Sequence, residues 1–132
     1  GRTPAESAVT LAQLMLPDDA NPSGDVHGGV VMKLVDTAAG IAATRHARSR
    51  CVTADIDSMT FLGPVHVGDL LHLEARLTWT GRTSMEIEVT VEAENLLEGV
   101  RRRTSTAYLV YVALDAQAKP RPVPPLRPDT EE

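Results

Sequence analysis

The chain of 132 residues is long enough for one domain with a hydrophobic core and too short for two. Its net charge of −5 and pI near 5.3 exclude the basic surface that nucleic acids or anionic membranes require. The single cysteine, Cys51, excludes an internal disulfide and a zinc site built on thiolates, so we expect no bound metal. No apolar run is long enough to span a membrane. These features predict a cytoplasmic protein that binds neither nucleic acid nor membrane.

The first part of the chain is predicted to form a strand, a loop and a long helix. Loose alternation of apolar residues predicts a strand over residues 8–16. Residues 17–29 concentrate Pro, Asp, Asn, Ser and Gly, which favour turns, over a length typical of functional loops. Residues 29–47 carry apolar side chains around nearly the whole circumference of a helix, so we expect that helix to be buried. Its few polar residues recur every three or four positions and form one narrow stripe.

The following residues are predicted to form strands. Residues 51–62 are rich in strand-forming side chains and end at a Gly-Pro turn signal. Residues 71–79 and 85–94 alternate strictly between apolar and polar side chains, with Trp79 in the apolar set. This alternation predicts a sheet with one dry face and one wet face.

The last predicted strand covers residues 103–114 and has apolar side chains on both faces, as expected if a partner chain also covers it. The basic cluster at residues 101–103 is predicted to be a solvated turn. Residues 119–132 contain so many prolines that neither helix nor sheet can form, and we expect an extended tail that is at most partly ordered. The predicted organisation is therefore one domain over residues 1–118 followed by a Pro-rich tail.

Together these elements comprise a strand, a loop, a buried helix and an antiparallel meander of about four strands. A helix that is apolar all round cannot be covered by a flat sheet, so the sheet must curl around it. The expected fold class is therefore α+β, a hotdog fold in which a curled antiparallel β-sheet wraps a long central helix.

The start of the predicted helix has the properties of an anion site. Gly28 and Gly29 let a ligand approach closely, and the unpaired amides of a first helical turn attract negative charge. The oxyanion that develops on an attacked thioester is such a charge. About two turns later, Asp36 places a carboxylate in apolar surroundings, where it is costly unless it has a function. It could activate a water as general base or attack directly, or it could simply pair with Lys33 on a solvated stripe.

Two polar residues of the preceding loop are further candidates. His27, beside the glycines, could act as a general base, but a structural histidine that bonds the loop backbone is the more common case. We therefore interpret His27 as a positioning residue. Asn21 precedes Pro22 and is typical of a turn residue that bonds its own backbone.

Several sequence blocks match one enzyme family in the right order, which argues against chance similarity. They are Pro17-Asp18-Asp19-Ala20-Asn21, Asp25-Val26-His27-Gly28-Gly29, Met32-Lys33-Leu34-Val35-Asp36, Met59-Thr60-Phe61-Leu62, Val67-Gly68-Asp69, Ser84-Met85-Glu86-Ile87-Glu88-Val89 and Pro122-Val123-Pro124-Pro125-Leu126. Over about residues 14–126 the sequence resembles the acyl-CoA thioesterases of the hotdog superfamily. The similar branch contains bacterial single-domain acyl-CoA thioesterases and the tandem-domain cytosolic acyl-CoA hydrolases.

The resemblance implies hydrolysis of acyl-CoA to a free fatty acid and CoA, with Asp36 as nucleophile or general base. It implies that Asn21 completes the site from the partner subunit and that the backbone amide of Gly28 forms the oxyanion hole. His27 gains less support. A homodimer with two equivalent sites is implied, and related enzymes stack such dimers into a hexamer as a trimer of dimers. No cofactor is implied, because CoA is part of the substrate.

In such folds the nucleotide end of CoA lies along the sheet surface near a hairpin, which makes Arg82, Thr83 and Ser84 candidate contacts. Arg82 could equally be an ordinary exposed turn residue.

Two rival functions remain open from the sequence. Residues 19–22 resemble the Asp-x-Asn-Pro opening of the hotdog enoyl-CoA hydratases, which are lyases, but His27 comes later than that motif requires. A non-catalytic acyl-CoA binding module would keep the pocket but would not need Asp36.

Overall fold

The computed structural model describes residues 1–128 as one long helix, a sheet and short connecting elements. The elements are α1 (Pro4–Ser7), β1 (Val9–Leu14), a 3₁₀ turn (Pro17–Asp19), α2 (Gly28–Ala47), β2 (Cys51–Phe61), β3 (Leu70–Thr80), β4 (Ser84–Asn95) and β5 (Val100–Ala113). The predicted hotdog fold, with its long helix and antiparallel sheet, is confirmed. The sequence analysis missed α1, because a single helical turn is too short to leave a periodic pattern. The last residues of the predicted tail, 129–132, lie outside the described residues.

The five strands form one antiparallel sheet in the order β1-β3-β4-β5-β2. The expectation of a simple meander is wrong for β2, which pairs with β5 and not with its sequence neighbour β3. The reason is that α2 crosses the sheet, contacting all five strands, and returns the chain at the edge opposite β1. β2 is therefore an edge strand.

The inner face of the sheet is the dry face that alternation predicts. Along β3 and β4 every second side chain is buried, namely Leu71, Leu73, Ala75, Leu77, Met85, Ile87, Val89, Val91 and Ala93. Trp79 is an exception to the predicted pattern, since it is 54% exposed. The pairing of β3 with β4 shifts register between Leu77 and Trp79, and such a bulge interrupts the two-residue alternation.

Helix α2 lies against this inner face, but it is not buried around its whole circumference. The residues that face the sheet are small or branched and fully or nearly fully buried, namely Val31, Val35, Ala38, Ala39, Ala42, Ala43 and Ala47. On the other side Met32, Asp36 and Thr37 are exposed and Leu34 is half-buried. The predicted full burial is therefore wrong for the single chain, whose sheet covers only one side of the helix.

The basic cluster before the last strand is part of that strand. β5 begins at Val100 and includes all three arginines that we predicted to form a solvated turn. Arg101 lies 2.9 Å from the carboxylate of Glu92 on β4, and Arg102 lies 3.4 Å from that of Asp69. The first of these ion pairs is a cross-strand pair and the second joins β5 to the loop before β3, so two of the three consecutive arginines have a carboxylate partner.

The described part of the tail, residues 119–128, is an extended segment that packs on the domain. Val123 is buried, and its backbone amide donates to the carbonyl of Arg82 at 2.9 Å. His46, near the end of α2, donates from Nε2 to the carbonyl of Pro124 at 2.6 Å. The amide of Arg2 donates to the carbonyl of Pro125 at 3.0 Å. The tail thus joins the start of the chain, the β3–β4 hairpin and the end of α2. Within residues 1–128, no helix is both long and apolar enough to cross a membrane.

Candidate active site

A groove of about 610 Å³ runs along α2 where the helix faces β2 and β5. Asp36 lies in this groove, and the helical residues beyond it continue the wall towards the end of α2. The lining residues are Asp36, Thr37, Gly40, Ile41, Thr44, Arg45, Arg48, Cys51, Thr53 and Tyr111. The groove therefore combines one carboxylate with a mixed apolar and basic wall.

Two hydroxyl groups hold one oxygen of the Asp36 carboxylate. Thr53 Oγ1 donates to Asp36 Oδ1 at 2.9 Å, and the Tyr111 phenol donates to the same oxygen. Thr53 and Tyr111 are direct cross-strand partners on β2 and β5, so the sheet presents both hydroxyls at one place. A register shift follows Thr53 on β2, and bulges of this kind re-aim side chains beside functional sites.

The other carboxylate oxygen of Asp36 has no hydrogen-bond partner within residues 1–128. The alternative that Lys33 neutralises Asp36 is not supported, because none of the ion pairs in the described chain joins them. Lys33 instead lines a second groove of about 340 Å³, together with Asp19 and Thr37. Asp36 thus has no cationic partner among residues 1–128, and one of its two carboxylate oxygens makes no hydrogen bond there.

Tyr111 is protonated at neutral pH. Burial is the main cause that raises the pKa of Tyr111 far above its ordinary value, and the hydrogen bond to the Asp36 carboxylate raises it further. The phenol can therefore act only as a donor towards the carboxylate.

Asn21 is the turn residue that the sequence predicts. Its side-chain Oδ1 accepts hydrogen bonds from the amide of Ser23 at 3.0 Å, the hydroxyl of Ser23 at 2.6 Å and the amide of Asp25 at 3.2 Å. The loop is fixed from outside by His66, whose Nδ1 lies 2.9 Å from Asp25 Oδ1. The side-chain amide nitrogen of Asn21 has no partner in the described chain, so it can bind something else.

The first turn of α2 carries the two glycines of the predicted anion site. His27 is the N-cap, but its exposed side chain makes no hydrogen bond within the part of the chain that the structure describes. Its backbone positions the turn instead, because its amide donates to the carbonyl of Asp19 at 2.9 Å. A side chain added at Gly28 or Gly29 would meet no protein atom within 4 Å. The packing of this chain therefore does not require either glycine.

The predicted site residues do not all meet within one chain. His27 and Gly28 lie at the start of α2 and Asn21 lies in the loop before it, but none of them lines the groove at Asp36. Asp36 comes eight positions after Gly28 in the helix, which corresponds to about 12 Å along the helix axis.

The predicted CoA contacts occupy the β3–β4 hairpin. Arg82 has an exposed side chain. The backbone carbonyls of Arg82 and Thr83 accept hydrogen bonds from the tail and from β5, and that of Ser84 accepts one from Gly81 within the hairpin. None of the three lines the groove at Asp36. Across residues 1–128, no three His, Cys, Asp or Glu side chains are grouped so that they could hold a metal ion.

The sequence analysis missed Thr53 and Tyr111, the two partners of Asp36. A signal for Tyr111 was present, because it is a polar aromatic side chain at an inward position of β5, between the buried Leu109 and Ala113. Thr53 gave none, since threonine is common in strands.

Comparison with known proteins supports one family. The sequence profile described as the Thioesterase superfamily matches residues 23–100. An uncharacterized acyl-CoA thioester hydrolase of Bacillus subtilis, YkhA, is 42% identical over 96% of this chain and 74% of its own length. The cytosolic acyl coenzyme A thioester hydrolase of Mus musculus is 40% identical over 98% of this chain, which spans only 35% of that relative.

Solved structures agree with this match. An apo-hexameric acyl-CoA thioesterase superposes with a TM-score of 0.94 and 44% identity, covering 98% of this chain and 83% of that chain. An acyl-CoA hydrolase from Staphylococcus aureus, solved with butyryl coenzyme A and coenzyme A, has a TM-score of 0.93 and 32% identity, covering 99% and 80%. Fold and groove thus define a hotdog protein of the thioesterase type. The chain belongs to the Thioesterase superfamily.

Proposed function

We propose that the protein is an acyl-CoA thioesterase that hydrolyses acyl-CoA to a free fatty acid and CoA, with Asp36 as nucleophile or general base. The observation that carries this proposal is the Asp36 carboxylate, which lines a groove with one oxygen held by two hydroxyls and the other unpartnered. The relatives named above as acyl-CoA thioester hydrolases support the substrate class.

Variants of the Staphylococcus aureus hydrolase support the choice of residues. Alanine replaces an asparagine, an aspartate and a threonine in three solved variants of that enzyme, and the substituted positions are 15 and 17 residues apart. Asn21, Asp36 and Thr53 have the same order and the same spacing in this chain. We therefore assign these three residues to one site.

The site is shared between two chains. A thioester carbonyl cannot touch both Asp36 and the amide of Gly28 in one protomer, because about 12 Å of helix separates them. In a two-fold dimer the start of one α2 can lie beside the middle of the other, and both sites are then equivalent. The Gly28 amide of one chain stabilises the oxyanion, the side-chain amide of Asn21 from that chain completes the site, and Asp36 comes from the partner. His27 positions this turn through its backbone.

The single chain leaves surfaces that such a dimer would cover. β2 is an unpaired edge strand on which Val52, Ile56 and Phe61 are between 42% and 54% exposed. Met32, on the open side of α2, is also 41% exposed. Unpaired strand edges and apolar side chains are typical of surfaces that pair with a second copy. We propose a homodimer through β2 and α2, assembled into a hexamer as a trimer of dimers, in line with the hexameric relative.

Asp36 can hydrolyse the thioester by either of two routes. As general base, the free Asp36 oxygen takes a proton from water, whose oxygen bonds to the thioester carbon. As nucleophile, that oxygen itself bonds to the carbon and gives an anhydride, which water then cleaves. In either route the C–S bond breaks, CoA leaves as thiolate and takes up a proton, and amide donors at Gly28 stabilise the oxyanion. No cofactor takes part.

We further propose that Arg82, Thr83 and Ser84 contact the nucleotide end of CoA at the hairpin, where the exposed guanidinium of Arg82 has no partner in the described chain. A cytoplasmic location fits the free Cys51. No observation in the groove favours the lyase or the binding module over the hydrolase.

The direct test is a thiol-release assay over acyl-CoA substrates of increasing chain length, with crotonyl-CoA included. We expect release of CoA, and we expect Asp36→Asn to lower kcat by about 1,000-fold or more, since an amide is neither base nor nucleophile. Glu98→Gln, the same change on an exposed turn, should keep parental turnover. Hydration of crotonyl-CoA without thiol release would instead indicate a lyase. Acyl-CoA binding without turnover, unchanged by Asp36→Asn, would indicate a binding module.

A further inference from the structure

Tyr111 is the most enclosed of the groups that contact Asp36. Its side chain is only 3% exposed, although it lines the groove. The phenol oxygen contacts Asp36 Oδ1 and also lies 2.8 Å from the backbone carbonyl of Asp36. Tyr111 thus touches both the side chain and the backbone of this one residue.

The tyrosine ring is held against the same helix one turn further on. A side chain added at Gly40 would lie 3.6 Å from the Tyr111 ring and 3.6 Å from its hydroxyl oxygen, which is ordinary van der Waals contact. Thr53, the other donor, is exposed in the groove, where its hydroxyl can also be solvated. Tyr111 is therefore the donor that packing fixes in place, and Thr53 is the adjustable one.

Both donors bind the same carboxylate oxygen, and this determines which oxygen can react. Oδ1 accepts from two hydroxyls, whereas Oδ2 has no partner within residues 1–128. A carboxylate with both oxygens free would rotate about its terminal bond, whose torsion is broad. Holding one oxygen on a fixed ring leaves the other in a constant direction, which is how reacting groups are kept near the attack geometry.

We propose that Tyr111 is a positioning residue that binds Oδ1 of Asp36 and so directs Oδ2 towards the thioester carbon or the water that attacks it. This role rests on the proposed function, since it concerns the same carboxylate. We therefore expect the Tyr111 hydroxyl to affect the chemical step and to leave substrate binding nearly unchanged. The reason is that Tyr111 is only 3% exposed and its hydroxyl is bonded to Asp36.

The test is Tyr111→Phe, which keeps the ring and removes the hydroxyl. We expect kcat to fall about 10- to 100-fold, the usual effect of one hydrogen bond to a charged group, while KM changes less than about three-fold. Tyr108→Phe is the matched control on the same strand. Its phenol donates to Glu88 at 2.6 Å on the outer face of the sheet, so kcat should change less than about two-fold.

As a control for folding, calorimetry counts the CoA-binding sites in each variant and kcat is expressed per site. Partial unfolding then cannot imitate the effect. Equal kcat values for Tyr111→Phe and Tyr108→Phe would overturn the proposal, and so would a loss that appears only in KM. Asp36→Asn, assayed in parallel, distinguishes a failure of the Tyr111 role from a failure of the proposed function. If Asp36→Asn abolishes turnover while Tyr111→Phe keeps the kcat of Tyr108→Phe, only the role of Tyr111 fails. If Asp36→Asn turns over normally, the proposed function fails as well.

Discussion

The two parts of helix α2 are built for different purposes. Its first turn is bare, which means that no protein atom covers it: Gly28 and Gly29 are exposed, and a Cβ atom on either would have no protein atom within 4 Å. Its middle is enclosed, with Ala38, Ala39, Ala42 and Ala43 completely buried against the sheet. Most of the free energy of packing therefore comes from the middle of the helix, and the first turn contributes little.

This difference accounts for where we propose that the chemistry takes place. A bare first turn leaves amide donors free for a ligand, whereas packing of the middle of the helix on the sheet brings the exposed Asp36 against Tyr111. One helix cannot bring these two groups together, because they are about 12 Å apart. A second copy of the chain can, and the comparison between the two parts of α2 thus leads to the shared site that we propose.

Between the two ends of α2, the larger effect is expected at the first turn, from Gly28→Pro. Gly28 is the first residue of α2, where proline is tolerated and has no amide hydrogen to donate. We predict a kcat lower by about 100- to 1,000-fold, the usual loss for one oxyanion donor, with little change in melting temperature. Steady-state kinetics and thermal unfolding measure the two quantities.

Gly28→Ala is the control for this substitution, because it adds a methyl group and keeps the amide. It should retain considerably more activity than Gly28→Pro, and it should stabilise the chain slightly, since alanine is a better helix former than glycine. If both variants lose activity equally, the amide is not the donor and the bare turn matters only for its shape.

A smaller effect is expected at the other end of α2, where His46 is buried and bonded to Pro124. Burial is the main cause that lowers the pKa of His46 below its ordinary value of 6.5, and the charge of Arg2 lowers it further. The unfolded chain therefore binds a proton at this residue more readily than the folded chain. The contribution of the neutral, buried His46 to the free energy of unfolding is therefore fully present above pH 6.5 and is lost as the pH falls below that value.

Between pH 7 and pH 5.5, His46→Gln should lose about 3 °C less in melting temperature than the parent, because glutamine can still donate to Pro124 and does not titrate. A parental acid response in His46→Gln would contradict this account of its burial.

Most of the fold could be predicted from the sequence because its patterns are local. Alternation in β3 and β4 and the apolar run of α2 predicted the elements and the dry face. The position of β2 beside β5 could not be predicted, since strand order depends on where α2 returns the chain. The exposure of Trp79 depends on a bulge, which also leaves no periodic signal.

The candidate site divides in the same way. Asp36 and Gly28 stand out because a carboxylate in an apolar helix and glycines at its start are unusual within their own segments. Thr53 and Tyr111 become partners of Asp36 only when β2 pairs with β5, a contact that spans 58 residues of sequence between the two strand positions. Sequence patterns therefore pointed to the groups that we propose to take part in the reaction, but not to the residues that hold Asp36.

The shared site is tested most directly by mixing two inactive variants, Asp36→Ala and Gly28→Pro. Each mixed dimer would contain one site with both the intact carboxylate and the intact amide, and random pairing makes half of the dimers mixed. Co-expression or refolding from a common denatured pool should therefore restore about one quarter of parental kcat per chain. If activity stays at the level of the separate variants, the two groups do not come from different chains, and the account of the site is wrong.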